Sequence, residues 1–317
     1  MNHKSTDCPG ASANKDKGPK DASAPFNNHS VNVILRTLPD HVDFWVRDAI
    51  LMEASPFFND MITLPKVGER RKHPESDDQE YRDGVPIIPV TEDSQTLDHL
   101  LRFCYPVADP EFRTAAEICK VLDAARKYLM DHAERLVLER FYKHVEREPL
   151  PLYALAIRHR WEKEIGFAAE AALRYPFPLG TFTPEMRLMD AAAYMKLQTY
   201  HAKCCTAASQ AIRTICDGEE VFIPSVIGDD ESSWWPCDDF AQWVVDYLEA
   251  SYDLMKTVPH AEALDDSGVL LEFIEKGISG SCTACAVKVP RDVMRLGQVL
   301  REHVRVAVSA VKFELED

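Results

Sequence analysis

Val31, Val33 and Leu35 recur at every second position, and Val42, Phe44 and Val46 do the same after Leu38-Pro39-Asp40-His41. That alternation predicts a β-hairpin, with Phe44 and Val46 facing a core and Trp45 and Arg47 facing away. The period then lengthens. Ile50, Leu51 and Ala54 take helical spacing, and Ser55-Pro56 breaks the chain. Ser55 caps a second short helix with Pro56 in its first turn, where a missing N–H costs nothing, and Phe57, Phe58, Met61 and Ile62 form its apolar face. Val85–Val90 (VPIIPV) reads as a third strand, whose two prolines suit an edge. Glu92 and Asp93 open a helix bearing Leu97, Leu100, Leu101 and Cys104, which Pro106 ends. Thr114 with Glu117 forms a capping box for a helix carrying Ile118, Val121, Leu122, Ala125 and Leu129. Asp131 with Glu134 repeats that start signal.

From Glu148 onward the pattern is helical only. Leu152, Leu155 and Ala156 mark one helix, and Ile165, Ala168, Ala169, Ala172 and Leu173 another. A long helix is predicted from Asp190 to about Ile215, and a last one after Pro290 with a stripe at Val293, Leu296, Leu300, Val304, Ala307 and Val311. That stripe is a core face, or a partner face if uncovered. Two stretches break the periodicity. Residues 66–84 are charged with both signs and read as a solvated loop, Arg70-Arg71-Lys72 included. Asp217 to Asp253 holds eleven acidic residues and no Lys or Arg, interleaved with Trp234, Trp235 and Trp243. It reads as a packed acidic connector, with docking of a basic partner as the alternative. The fold class expected is α+β: a small sheet flanked by helices, followed by an all-α region. Its divisions are a disordered tail at 1–28, a mixed domain at 29–145, a helical extension at 146–216 and a C-terminal part at 217–317.

Charge narrows the partners. The formal net charge of −16 argues against nucleic acid and against anionic membranes, both of which need a concentrated positive surface. No apolar run approaches the ~20 residues of a membrane-spanning helix, and the polar N-terminus lacks the apolar core of a signal peptide. Nine scattered cysteines with no secretory signal point to a reducing compartment, cytoplasmic or nuclear.

The segments VNVILRT, FWVRDAILMEASPFFNDM, VTEDSQTLDHLLRFCYP and VLDAARKYLM together resemble the BTB/POZ domain over residues 29–145, LLRFCYP and AARKYLM most specifically. EPLPLYALAIRHRW and AAEAAL resemble the helical continuation of fungal BTB proteins. The resemblance implies a protein-interaction scaffold that forms a homodimer through the hairpin and short helices, with Val33, Leu35, Asp48, Leu51, Phe57 and Phe58 at the interaction surface. It also implies an alternative, a substrate adaptor whose helices around Thr114–Leu138 touch a cullin ubiquitin ligase. Asn32 stands where such domains usually carry Asp, and Asp48 where they commonly carry His.

Catalytic chemistry finds little to build on. The chain has no G-x-S-x-G and no Gly-rich phosphate loop, so no enzymatic activity is expected. Cys282 and Cys285 form a CxxC, two of the four ligands a structural zinc requires. Cys204 and Cys237 are candidates for the others, with His201 or Cys205 on the same helical turn as alternates. Related fungal proteins resemble this pattern in a helix Cys, a Trp-x-x-Cys and a late CxxC. Buried thiols without metal are the other reading.

Overall fold

The computed structural model describes residues 18–63, 80–177, 182–217, 240–266 and 268–314. The chain is mixed α+β and divides into two compact units, Met1–Glu139 and Arg140–Asp317.

The first unit is built on a five-stranded sheet ordered β1-β3-β2-β5-β4. The predicted hairpin is β2 (Val33–Thr37) and β3 (Val42–Val46), antiparallel with Leu35 opposite Phe44. Its turn is closed by Thr37, whose hydroxyl donates to Asp40 (2.6 Å) and accepts from the Val42 N–H (2.9 Å). α1 (Asp48–Ala54) and α2 (Pro56–Thr63) follow as expected, and Ser55 Oγ accepts the Phe58 N–H at 3.1 Å. β5 (Val85–Val90) runs parallel to β2. Helices α3 (Ser94–Arg102), α4 (Ala115–Lys127) and α5 (Asp131–Val145) complete the series, the division between units falling inside α5. The predicted capping box of α4 is modified: Thr114 accepts the Glu117 N–H (3.2 Å), but the Glu117 carboxylate reaches back to the N–H of Arg113 (2.7 Å).

Three expectations are corrected here. Residues 18–28 are not a disordered tail: β1 (Lys20–Asp21) pairs parallel with β3, and Phe26 is fully buried against Phe44 and Tyr105. Residues 1–17 lie outside the described residues. Trp45 is as buried as Phe44, because Ile34, Ile87 and the N-terminal segment cover the second face of the sheet. Its indole N–H donates to Asp21 (2.9 Å), and His29 stacks on it at 3.9 Å. Third, the charged loop ends in a strand. β4 (Tyr81–Arg82) turns through Asp83 and Gly84, both at positive φ (53° and 78°), and pairs with β5, so β5 lies between β2 and β4. Pro89 escapes the ladder cost because β4 is too short to reach it. Residues 66–79, including Arg70-Arg71-Lys72, lie outside the described residues.

One buried carboxylate ties four strands together. Asp43 has no exposed surface and receives Arg36 (Nε 2.6 Å, a second nitrogen 2.9 Å) and Arg82 (2.6 Å), while Arg82 also pairs with Asp21 at 2.8 Å. Burial alone raises the Asp43 carboxyl. The hydrogen bonds and charges of Arg36 and Arg82 outweigh it and hold the group below the usual carboxylate range.

The second unit is helical. α6 (Pro149–His159) packs on α7 (Glu162–Ala172) and on a 3-10 turn at Pro184–Leu188. The long helix predicted from Asp190 is α8 (Ala191–Asp217), and it packs against α9 (Phe240–Met255) and the final helix. Between these lie α10 (Ala263–Asp266), α11 (Val269–Gly280) and α12 (Thr283–Ala286). The final helix, α13 (Val289–Ser309), buries Val293, Leu296, Leu300 and Val304 with Tyr247, Leu248 and Phe273. Those four stripe positions therefore form a core face. α11 was not expected from the sequence. Residues 218–239, with Trp234, Trp235 and Cys237, lie outside the described residues.

Candidate interaction surface

The surface of interest is built where α4 stops. Tyr128 caps the helix, Leu129 follows at φ 54°, and the chain doubles back through two hydrogen bonds: Met130 N–H to Ala125 O (2.8 Å) and Leu129 N–H to Arg126 O (3.1 Å). This is the Schellman arrangement, whose left-handed position glycine normally fills because it has no Cβ to clash. Here the residue is leucine, and it is 53% exposed. The helical spacing that placed Leu129 on the buried face of α4 is therefore corrected: the helix has ended one residue earlier, and the reversed backbone carries the side chain out to solvent.

The turn is held firmly. Ser55 Oγ donates to the Tyr128 carbonyl (2.6 Å), so one hydroxyl both caps α2 and anchors the end of α4. The Tyr128 hydroxyl donates to Glu92, and burial together with that carboxylate pushes the phenol well above its ordinary pKa. Lys127 lies 4.7 Å over the Tyr128 ring and bonds Glu92 at 2.7 Å.

Aromatic packing extends this turn onto α2. Phe58 stacks on Tyr128 (4.9 Å), and Phe57 meets both Tyr128 (5.4 Å) and Phe58 (5.3 Å). Phe57 and Met61, one helical turn apart, remain 40% and 39% exposed. Phe57, Met61 and Leu129 are thus large apolar side chains left open on a rigid platform.

Of the residues expected at the interaction surface, Val33, Leu35, Leu51 and Phe58 are buried inside the unit, and only Phe57 and Asp48 reach solvent. Period-2 and period-3.6 spacing identify the inward face of an element, which is why those four were selected; of them Phe58 lies beneath the surface, against Phe57 and Tyr128. Sequence reasoning missed Leu129 as a surface residue and placed Met61 only on the apolar face of a helix. The departing pair Asn32 and Asp48 is joined directly, the Asp48 N–H donating to Asn32 Oδ1 at 3.2 Å, while Asp48 Oδ1 accepts the Ala49 N–H at 2.6 Å. In the segment assigned to a cullin, Ile118, Val121, Leu122 and Ala125 face the interior.

The cysteine cluster is placed only in part. Cys204 is fully buried on α8, and burial pushes its thiol up to about 11. Cys205 is held up to about 11 by the same cause, and its Sγ lies 3.5 Å from His201 Nδ1. His201 Nε2 lies 2.9 Å from the Tyr175 carbonyl, which can only accept, so Nε2 carries the proton and Nδ1 accepts from the Cys205 thiol. Burial lowers the His201 pKa and keeps the ring neutral. Cys282 is exposed, while Cys237 and the side chain of Cys285 lie outside the described residues. Among the described residues no three His, Cys, Asp or Glu side chains are grouped to hold a metal, and no helix is long and apolar enough to cross a membrane.

No protein-family model matches this chain, and no curated protein matches its sequence.

Proposed function

We propose that this chain is a non-catalytic protein–protein interaction module of the BTB/POZ type, acting in the cytoplasm or nucleus, that self-associates through the surface formed by Phe57, Met61 and Leu129. The order of hairpin, two short helices, a parallel strand and helices supports the type, alongside the sequence resemblance. One observation carries the self-association: a leucine occupies the left-handed position at Leu129 and is left about half exposed to water. Both choices cost free energy in the isolated chain, of order 1 kcal/mol for the backbone alone, and a partner that buries the side chain offsets them. The patch is apolar and framed by a rigid aromatic floor, which favours a second copy presenting the same surface over a charged ligand.

Sedimentation equilibrium of the full chain tests this. The wild type is expected to be dimeric at tens of micromolar, and Phe57→Glu with Met61→Glu to be monomeric with unchanged circular dichroism. A wild type that remains monomeric at that concentration would overturn the proposal, as would a dimer indifferent to the two glutamates.

A further inference from the structure

Four large apolar side chains stay in water on two neighbouring helices of the second unit. Leu271 and Ile278 lie seven residues apart on α11, and Val287 and Met294 have the same spacing at the start of α13. Leu271 is 65% exposed and Val287 80%. Seven residues make close to two helical turns, about 10 Å, so each pair forms a line along its helix. Lys288 already has helical backbone angles (φ −85°, ψ −29°), which keeps Val287 near the register of α13. The two helices pack on each other and run antiparallel, Gly277 close to Val289 and Leu270 close to Gly297. Phe273, Val289, Val293 and Leu296 are their contribution to the core, so both exposed lines lie on the outward side of one helix pair.

A charge stands at the same place inside each line. Glu275 follows Leu271 by four residues and precedes Ile278 by three, and Arg291 does the same between Val287 and Met294. The two signs are opposite. Arg291 is engaged on one side, its Nε donating to Asp292 at 3.0 Å, and its side chain remains exposed. Glu272 is engaged by Lys276 (2.6 Å), whereas Glu275 has no ion pair among the described residues. Such a face is complementary to itself. A two-fold axis along the helices lays α11 of each copy on α13 of the other. Leu271 and Ile278 then meet Met294 and Val287, and Glu275 falls within one residue of Arg291 across the contact. Each contact forms twice, as an isologous interface requires. The matched spacing with inverted charge is what selects a second copy, because a foreign partner requires no correspondence between α11 and α13.

We propose that the outward face of α11 and α13 is a second self-association surface, on which the same face of another copy of this chain docks. Its residues all belong to the Arg140–Asp317 unit, so it is separate from the surface around Leu129. Four apolar side chains per copy make a contact smaller than a stable dimer needs, and its dissociation constant is expected between about 100 μM and about 1 mM.

Sedimentation equilibrium of the full chain carrying Phe57→Glu and Met61→Glu, at about 500 μM and low salt, tests this surface. The first surface is disabled in that background, and its own failure is read separately, from the wild type at tens of micromolar. Reversible dimerisation is expected, and added salt should weaken it. Glu275→Arg or Arg291→Glu in the same background sets like charges opposite each other and should weaken association at least about tenfold. Mixed in equal amounts, those two variants should associate again, because each meets the opposite charge in both halves of the contact. A misfolded variant does not give that rescue. A parent chain that stays monomeric at about 500 μM, single variants that associate like the parent, or a mixture no tighter than either variant alone would each overturn the proposal.

Discussion

Leu129 allows the cost of the fold and the gain on association to be separated with two substitutions. Replacing it by Ala keeps the left-handed backbone strain and deletes the side chain, about half of which is packed. A fully buried leucine contributes roughly 1.5–3 kcal/mol, so Leu129→Ala is expected to destabilise the monomer by about 1 kcal/mol. Leu129→Gly deletes the same contacts but relieves the left-handed Cβ clash, worth roughly 1–2 kcal/mol, against roughly 0.5–1 kcal/mol for the greater freedom of glycine in the unfolded chain. The glycine variant should therefore be more stable than the alanine variant by up to about 1.5 kcal/mol and close to wild type. Association should respond differently. The exposed half of the side chain is worth roughly 1 kcal/mol when covered, and a two-fold dimer covers it twice, so both variants should lose about 2 kcal/mol, a roughly 30-fold rise in the dissociation constant. Urea unfolding at concentrations where the chain is monomeric measures the first quantity, and sedimentation equilibrium the second. If glycine is less stable than alanine, the strain argument fails. If either variant associates as tightly as wild type, Leu129 is not part of the surface.

Three further outcomes follow from the packing and the electrostatics. At Gly277 an added Cβ would lie 2.6 Å from Cγ1 of the buried Val289, so Gly277→Ala should cost about 2 kcal/mol in urea unfolding, and Gly277→Ala with Val289→Ala should recover part of it. Asp43 has a lowered carboxyl pKa in the folded state, so its contribution is fully present above the unfolded value of about 3.9 and is lost as pH falls through the folded value. Asp43→Asn should therefore lose about 3 kcal/mol at pH 7 by leaving Arg36 and Arg82 short of a partner, and should lose less on going from about pH 5 to about pH 2; parallel declines for the two proteins would refute this. The Tyr247 hydroxyl lies beside Ser251 but makes no hydrogen bond with it or with any other described group, and burial pushes its pKa up to about 12. Tyr247→Phe should thus be neutral or stabilising by differential scanning calorimetry, and a loss above about 1 kcal/mol would mean that the hydroxyl is satisfied in solution.

Periodicity was sufficient where an element has one clear inward face. β2, β3, α2, α4 and α8 all fall close to the segments that alternation and capping residues marked. It failed where two contacts distant in sequence combine. Trp45 sits on the side of β3 that alternation assigns to solvent, and residues 20–29, together with Ile34 and Ile87 beside it, bury it. The one aromatic among residues 1–28, Phe26, was the available sign that this stretch has somewhere to pack. β4 was missed although Asp83-Gly84 is a strong two-residue hairpin signal, because the preceding charges masked a strand of two residues. α11 opens at Gly268, which stands at φ 76° and offers no side-chain cap to mark a helix start.

The candidate surface was legible in its floor and illegible at its summit, for one physical reason. Phe58 and Leu51 repeat with the helix and therefore announce themselves as buried, whereas Leu129 extends the apolar spacing of α4 one turn further, and that spacing assigns it to the buried face too. A glycine there would have marked the helix end and removed the false signal. Leucine both hides the terminus in the sequence and strains it in the structure, so the same substitution that misleads the periodic reading is the one that needs a functional cause. Stability alone does not supply that cause, because glycine satisfies the Schellman turn at lower backbone cost. What leucine adds over glycine, beyond the half of its side chain packed in the monomer, is apolar area on the outside of a rigid turn, and that exposed half contributes only when another surface covers it. Self-association is thus inferred from a residue that a well-formed isolated turn would have no reason to keep.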